Sequence, residues 1–184
     1  MSSHHVCPWW LAYTFDNPLR RLFHNPKAMF SEYVKEGMTV MDIGCGMGYF
    51  TLGLAELVGD AGKVIAIDLQ QEMLDITIKR ATKKGLTHRI TQHRAQPDSI
   101  NITTPVDFIL AFWMVHEVPD QAAFFKEAAA ILKPSANLFY AEPAFHVSEA
   151  RYKEILASAE RSHLKISRDL SIRFSRAALL EKIV

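Results

Sequence analysis

Short, nearly continuous apolar stretches at residues 39–43, 63–68, 106–112 and 137–142 alternate along the chain with longer segments whose apolar positions recur at helical spacing. Apolar runs of that length predict strands covered on both faces. A further stretch, 89–93, is more polar and supplies another strand candidate. Residues 49–58 carry Phe50, Leu52, Leu54, Ala55, Leu57 and Val58, which predicts a largely buried helix stopped by Gly59. A second helix is predicted over 72–84, ended by Gly85. A third is predicted over 121–132, with Asp120 as N-cap and Pro134 barring its continuation. Ahead of the first strand, Asn25 reads as an N-cap and Pro26 as the first residue of a helix that Gly37 would close. A helix over 148–163 and a last pair of strands at 165–170 and 172–174 complete the prediction.

Strands alternating with helices at this pitch predict an α/β protein, a parallel sheet with helices on both faces. The 184 residues suit one domain, 1–184, in which 1–33 form an N-terminal aromatic or helical segment. A hydrophobic share of 49% and a charged share of 22% are those of a globular chain. Formal net charge is +1, which gives no electrostatic reason to expect nucleic acid or an anionic membrane as partner. The pairs Arg20-Arg21 and Lys83-Lys84 read as solvated helix faces. Only Cys7 and Cys45 are present, so neither a disulfide framework nor a cysteine-based zinc site is expected, and a reducing cytoplasm fits. No signal peptide, membrane span or metal site is expected. The expected state is monomer or homodimer.

Asp42-Ile43-Gly44-Cys45-Gly46-Met47-Gly48 places the pattern acidic-x-Gly-x-Gly-x-Gly between a predicted strand and a predicted helix. Glycines there let the chain turn sharply and the backbone approach a ligand. The spacing departs from the dinucleotide fingerprint Gly-x-Gly-x-x-Gly: counted from Gly44 the last glycine falls at Tyr49, and counted from Gly46 it falls at Thr51. Asp42 would repel a pyrophosphate and suits a ligand carrying an ammonium and a sulfonium. Asp68 ends the second strand, 24 residues after Gly44, where a carboxylate can accept from both hydroxyls of a ribose. Loop and acid together point to S-adenosylmethionine (SAM).

With these residues in place, the chain resembles the class I SAM-dependent methyltransferases, in particular the small ones of the ubiquinone/menaquinone-methylase type. Residues 40–48 match their first motif and 64–68 their second; 106–119 resemble the fourth-strand motif, and Ile131-Leu132-Lys133-Pro134 the turn before the fifth strand. The resemblance implies a Rossmann-like, doubly wound, mostly parallel seven-stranded sheet. It also implies that Asp42, Gly44, Cys45, Gly46 and Gly48 line the methionine part of SAM, and that Asp68 and Leu69 flank the ribose and adenine. Ala95 and Gln96 would meet the adenine edge, where many relatives place an acid. Phe112 would lie beneath the methionine moiety, and the product would be S-adenosylhomocysteine.

Ligands bind outside the carboxyl ends of strands in such sheets. His116-Glu117 and Glu142 with His146 follow the fourth and fifth strands, so all four side chains could converge on one cleft. His116 or His146 is the candidate general base, with Glu142 and Trp113 as candidate substrate contacts. Trp9, Trp10, Tyr13 and Phe15 form an aromatic cluster near the N-terminus. It is either a lid that Trp113 faces, with Trp10 and Tyr13 touching substrate, or a packing or dimer element. The expected function is methyl transfer from SAM to a small-molecule acceptor. The alternative is a catalytically silent SAM-binding protein acting as a regulatory or partner subunit.

Overall fold

The computed structural model describes residues 23–183, so Trp9, Trp10, Tyr13 and Phe15 lie outside the described residues. Its contacts cluster into two compact units, the first ending at Ala95 and the second beginning at Gln96.

The first unit contains helix α1 (Pro26–Phe30), β1 (Thr39–Ile43), α2 (Tyr49–Val58), β2 (Lys63–Asp68), α3 (Gln71–Lys83) and β3 (Ile90–Arg94). Its strands run parallel in the order β3-β2-β1, with Asp42 opposite Ala66 and Asp68 opposite Arg94. α2 buries Phe50, Thr51, Leu52, Leu54, Ala55 and Val58, the all-round burial its apolar spacing predicts. α3 buries only Met73, Leu74, Thr77 and Ala81, one face of an amphipathic helix. Asn25 does cap α1, its Oδ1 accepting from the Ala28 amide at 3.2 Å. That helix ends at Ser31 rather than at Gly37: the amides of Tyr33 and Val34 both turn back to the Phe30 carbonyl. Gly37 serves another purpose, its amide donating to the Val58 carbonyl at 2.9 Å from a backbone φ of 84°.

The second unit contains β4 (Val106–Phe112), α4 (Gln121–Ile131), β5 (Leu132–Pro143), α5 (Glu149–Glu160), β6 (Leu164–Leu170) and β7 (Ser175–Lys182), with a short 3-10 turn, Val115–Glu117, after β4. The strand order is β4-β5-β7-β6; β4 and β5 are parallel, and β7 is antiparallel to both neighbours. Asp120 and Ser148 cap α4 and α5 with their side chains. The last strand is not at 172–174. Phe174 has φ 62° and turns the chain, and the strand proper begins at Ser175 with the buried run Ala177-Ala178-Leu179-Leu180. That run is continuous rather than alternating, which is why a search for period-two strands passes over it. β6 carries the exposed Lys165, Arg168 and Asp169, charges that discourage pairing with another chain.

Seven strands in all thus build a mostly parallel sheet with helices between them. Among the described residues no helix is long and apolar enough to cross a membrane.

Gly53, in the middle of α2, sets how closely α1 packs. A Cβ there would lie 2.3 Å from the Pro26 Cβ. In an exposed helix Gly→Ala gains about 1 kcal/mol of helix propensity, whereas overpacking against a rigid ring costs about 1–3 kcal/mol. Gly53→Ala is therefore expected to lower the urea unfolding midpoint. A raised midpoint would show that the helices separate freely.

Candidate cofactor and base sites

The glycine loop of the first unit follows β1 and enters α2. Gly44, Gly46 and Gly48 have φ of 70°, 53° and 78°, all in the region that L-residues avoid. A Cβ on Gly48 would meet the Thr77 side chain at 2.7 Å, so this glycine is required by packing. Gly46 is different: among the described residues nothing lies within 4 Å of where its Cβ would sit, which leaves room beside its backbone.

Three contacts hold the loop in shape. Asp68 Oδ2 accepts from the Gly46 amide at 2.9 Å, tying the loop to the end of β2. Thr77 Oγ1 donates to the Gly46 carbonyl at 3.1 Å, and Arg80 donates to the Met47 carbonyl at 3.0 Å. Sequence reading missed Thr77 and Arg80, because a buttress contributed from a helix 30 residues away leaves no local pattern. Asp42 is buried, and its Oδ2 accepts from Thr51 Oγ1 at 2.6 Å. Cys45 is buried too; burial first, then the charges of Asp42 and Asp68, push its thiol well above the ordinary range, so it stays protonated.

Asp68 Oδ1 accepts from the Gln70 amide at 3.0 Å. Both carboxylate oxygens thus accept from backbone amides, and with about four acceptor sites the group keeps capacity toward a ribose diol. Burial pushes the Asp68 carboxyl above its ordinary value, against the opposing pull of the Gln70, Gly46 and Leu69 amides. Leu69 is half-buried beside it, and its carbonyl accepts from Arg94 at 3.1 Å. The Ala95 amide donates to the Asp68 carbonyl at 3.0 Å. Gln96 opens the second unit, exposed, with its backbone bridged to Ser99.

In the second unit the ends of β4 and β5 come together. Phe112 is buried and stacks on Trp113 with ring centroids 5.2 Å apart. Trp113 sits at φ 61°, a strained setting for a bulky residue. It is held by its amide on the Ala141 carbonyl at 2.8 Å and its indole N–H on Ser175 Oγ at 2.9 Å. Strain at a strand end marks a position fixed for a purpose, and no sequence pattern announces it.

Glu142, expected to touch substrate, is instead fully buried, and both its oxygens accept from His116: Oε1 from the backbone amide at 2.9 Å, Oε2 from Nδ1 at 2.5 Å. This bond places the imidazole proton on Nδ1 and leaves Nε2 as the free base. Glu117 lies 3.9 Å from Nε2, and the exposed His146 ring meets His116 edge-on at 5.0 Å. All four expected side chains therefore do converge. Burial works against the charged imidazole, but the hydrogen bond and charge of Glu142, with that of Glu117, outweigh it and raise the His116 pKa.

A glycine loop open at Gly46 and a strand-end acid with spare acceptor capacity fit an adenosyl ligand, on a sheet of Rossmann-like class. Comparison with known proteins agrees. A methyltransferase-domain family model matches residues 40–135, just over half of the chain. Demethylmenaquinone methyltransferase of Lactobacillus johnsonii is 31% identical over 106 residues, 57% of this chain and 43% of that protein. Ubiquinone biosynthesis O-methyltransferase of Actinobacillus pleuropneumoniae is 34% identical over 131 residues, 67% of this chain and 52% of that one. The chain thus spans about half the length of these curated relatives. A SAM-dependent methyltransferase from Aquifex aeolicus superposes with a TM-score of 0.86 at 26% identity, covering 97% of this chain and 100% of that one. The chain belongs to the methyltransferase-domain family, and SAM is the cofactor that the domain implies.

A raised His116 pKa is linked to stability. The folded-state value lies above the ordinary 6.5, so the His116–Glu142 ion pair contributes fully below that value and is lost as pH rises through the folded one. The stability gap between wild type and His116→Asn, which keeps a neutral donor, is expected to widen as pH falls from about 9 to about 6. Urea unfolding at several pH values reads it; a gap that narrows on acidification contradicts the assignment.

Proposed function

We propose that the protein transfers a methyl group from SAM to a small-molecule acceptor whose nucleophilic atom carries a proton, with His116 as general base. The observation that carries this reading is the His116–Glu142 pair at the ends of β4 and β5. Its buried carboxylate accepts from Nδ1, which leaves Nε2, 3.9 Å from Glu117, as the proton acceptor. His146, exposed against His116, lacks such an orienting bond among the described contacts and is the weaker candidate.

When bound, SAM supplies a methyl group activated by its sulfonium. The protein's own part is positioning and proton removal. Gly44, Gly46 and Gly48, with Asp42 and Cys45 shaping the loop, cradle the methionine portion, and Asp68 and Leu69 take the ribose. Ala95, whose amide is held on the Asp68 carbonyl, completes the proposed cofactor contacts of this unit. His116 Nε2 accepts the acceptor's proton as the acceptor atom attacks, and Glu142 stabilises the imidazolium that forms.

An apolar, flat acceptor is supported by the aromatic surface beside this pair. Phe145 is 69% exposed and meets Trp113 edge-on at 5.6 Å. The names of the relatives, which refer to demethylmenaquinone and to ubiquinone biosynthesis, support the same class. The net charge of +1 speaks against nucleic acid as acceptor, and the low cysteine content supports a reducing cytoplasm. The reading is of a monomer or homodimer acting without a metal.

Transfer of label from methyl-labelled SAM to a panel of phenols, amines and thiols tests the proposal. His116→Ala is expected to lower kcat by about 10²–10⁴-fold with SAM affinity retained. The wild-type rate should rise with pH through a value above that of an ordinary histidine. Full activity in His116→Ala would remove the base assignment, and transfer to none of the acceptors would remove the small-molecule reading.

A further inference from the structure

The phenol hydroxyls of Tyr140 and Tyr152 are buried in the second unit without a hydrogen-bond partner among the described residues. Their rings stack with centroids 5.4 Å apart and planes 4° from parallel. Phe125 closes on Tyr140 edge-on at 5.8 Å, so the Tyr140 ring is fixed on two sides. Packing accounts for the rings and leaves the oxygens unexplained, since phenylalanine would fill the same space without burying a polar group.

Tyr140 and Glu142 are two residues apart on β5, so their side chains leave the strand on one face, and both are fully buried. Glu142 receives two donors, both from His116. A carboxylate has about four acceptor sites, and a buried charge calls for more donors than two. The Tyr140 hydroxyl is a buried donor without a partner among the described residues, two positions along the same strand face from this carboxylate, whose charge acts on it. Burial, then the Glu142 charge, pushes the Tyr140 pKa far above its ordinary value, so the phenol is a donor at every working pH.

We propose that Tyr140 is a positioning residue for the His116–Glu142 pair, its phenol O–H donating to the buried Glu142 carboxylate and so setting how strongly that carboxylate holds the His116 proton. The donor withdraws charge from Glu142, which weakens its grip on the imidazolium and leaves His116 readier to release its proton between turnovers. The other charged and titratable groups around the pair are Glu117 and His146 in the turns, Arg151 and Tyr152 on α5, Asp169 on β6 and Arg176 on β7. None of these shares the strand face of Glu142 as Tyr140 does. The catalytic meaning rests on the base role proposed above, but the effect on His116 does not.

The test is NMR titration of the His116 ring in the full chain. Tyr140→Phe removes a donor from the Glu142 carboxylate, returns charge to the oxygens that face His116, and is expected to move the His116 midpoint up by about half a pH unit. In a Glu142→Gln background the same change should move nothing. Should Tyr140→Phe fail to fold, 3-fluorotyrosine at position 140, a stronger donor of nearly the same size, is expected to move the midpoint down. An unmoved midpoint, a shift of opposite sign, or an equal shift in the Glu142→Gln background overturns the proposal. Because the readout is a titration and not turnover, it stands or falls separately from the methyl-transfer reading.

Discussion

A carboxylate drawn out of water at the end of a strand must find donors or give up its charge, and the buried Asp42 and Glu142 with the half-buried Asp68 organise this protein. Asp42 is satisfied by the Thr51 hydroxyl, Asp68 by the amides of Gly46 and Gln70, and Glu142 by the amide and imidazole of His116. Each bond fixes something other than the acid itself. Thr51 is locked into the first turn of α2, the glycine loop is anchored to β2, and the His116 ring is held in one tautomer. The acids lie at or near the carboxyl ends of β1, β2 and β5, the ends at which open α/β sheets bind ligands.

The two units do different work. In the first, the backbone is the surface on offer: left-handed glycines, with room beside Gly46 among the described residues, and one strand-end acid bonded to backbone amides. Backbone recognition of this kind tolerates wide changes elsewhere in the sequence, which suits a cofactor shared by many enzymes. In the second, side chains dominate. A strained Trp113, an exposed Phe145 and the His116–Glu142 pair are features that a change of acceptor would alter first.

Local patterns carried far in this chain. Glycine spacing and Asp42 separate the adenosyl reading from a dinucleotide one, because both lie in one short stretch of sequence, 42–48. Caps at Asn25, Asp120 and Ser148 are equally local. What stayed hidden depends on long-range geometry. Thr77 and Arg80 reach the loop from α3, Glu142 turns inward to His116 across 26 residues, and Phe174 takes a left-handed turn that displaces the final strand to Ser175. The sequence placed Glu142 near the right partners but could not show which way it faces. That orientation turns a candidate substrate contact into the hydrogen-bond partner of His116.

The central claim is that the Gly46 loop and Asp68 form an adenosyl site. Calorimetric titration of the full chain with SAM, S-adenosylhomocysteine and NADH, repeated on Asp68→Ala, tests it most directly. The account predicts that both adenosyl ligands bind, that NADH does not, and that the variant, still folded by circular dichroism, binds them at least about tenfold more weakly. Unchanged binding by Asp68→Ala, or no adenosyl binding by the wild type, would contradict it.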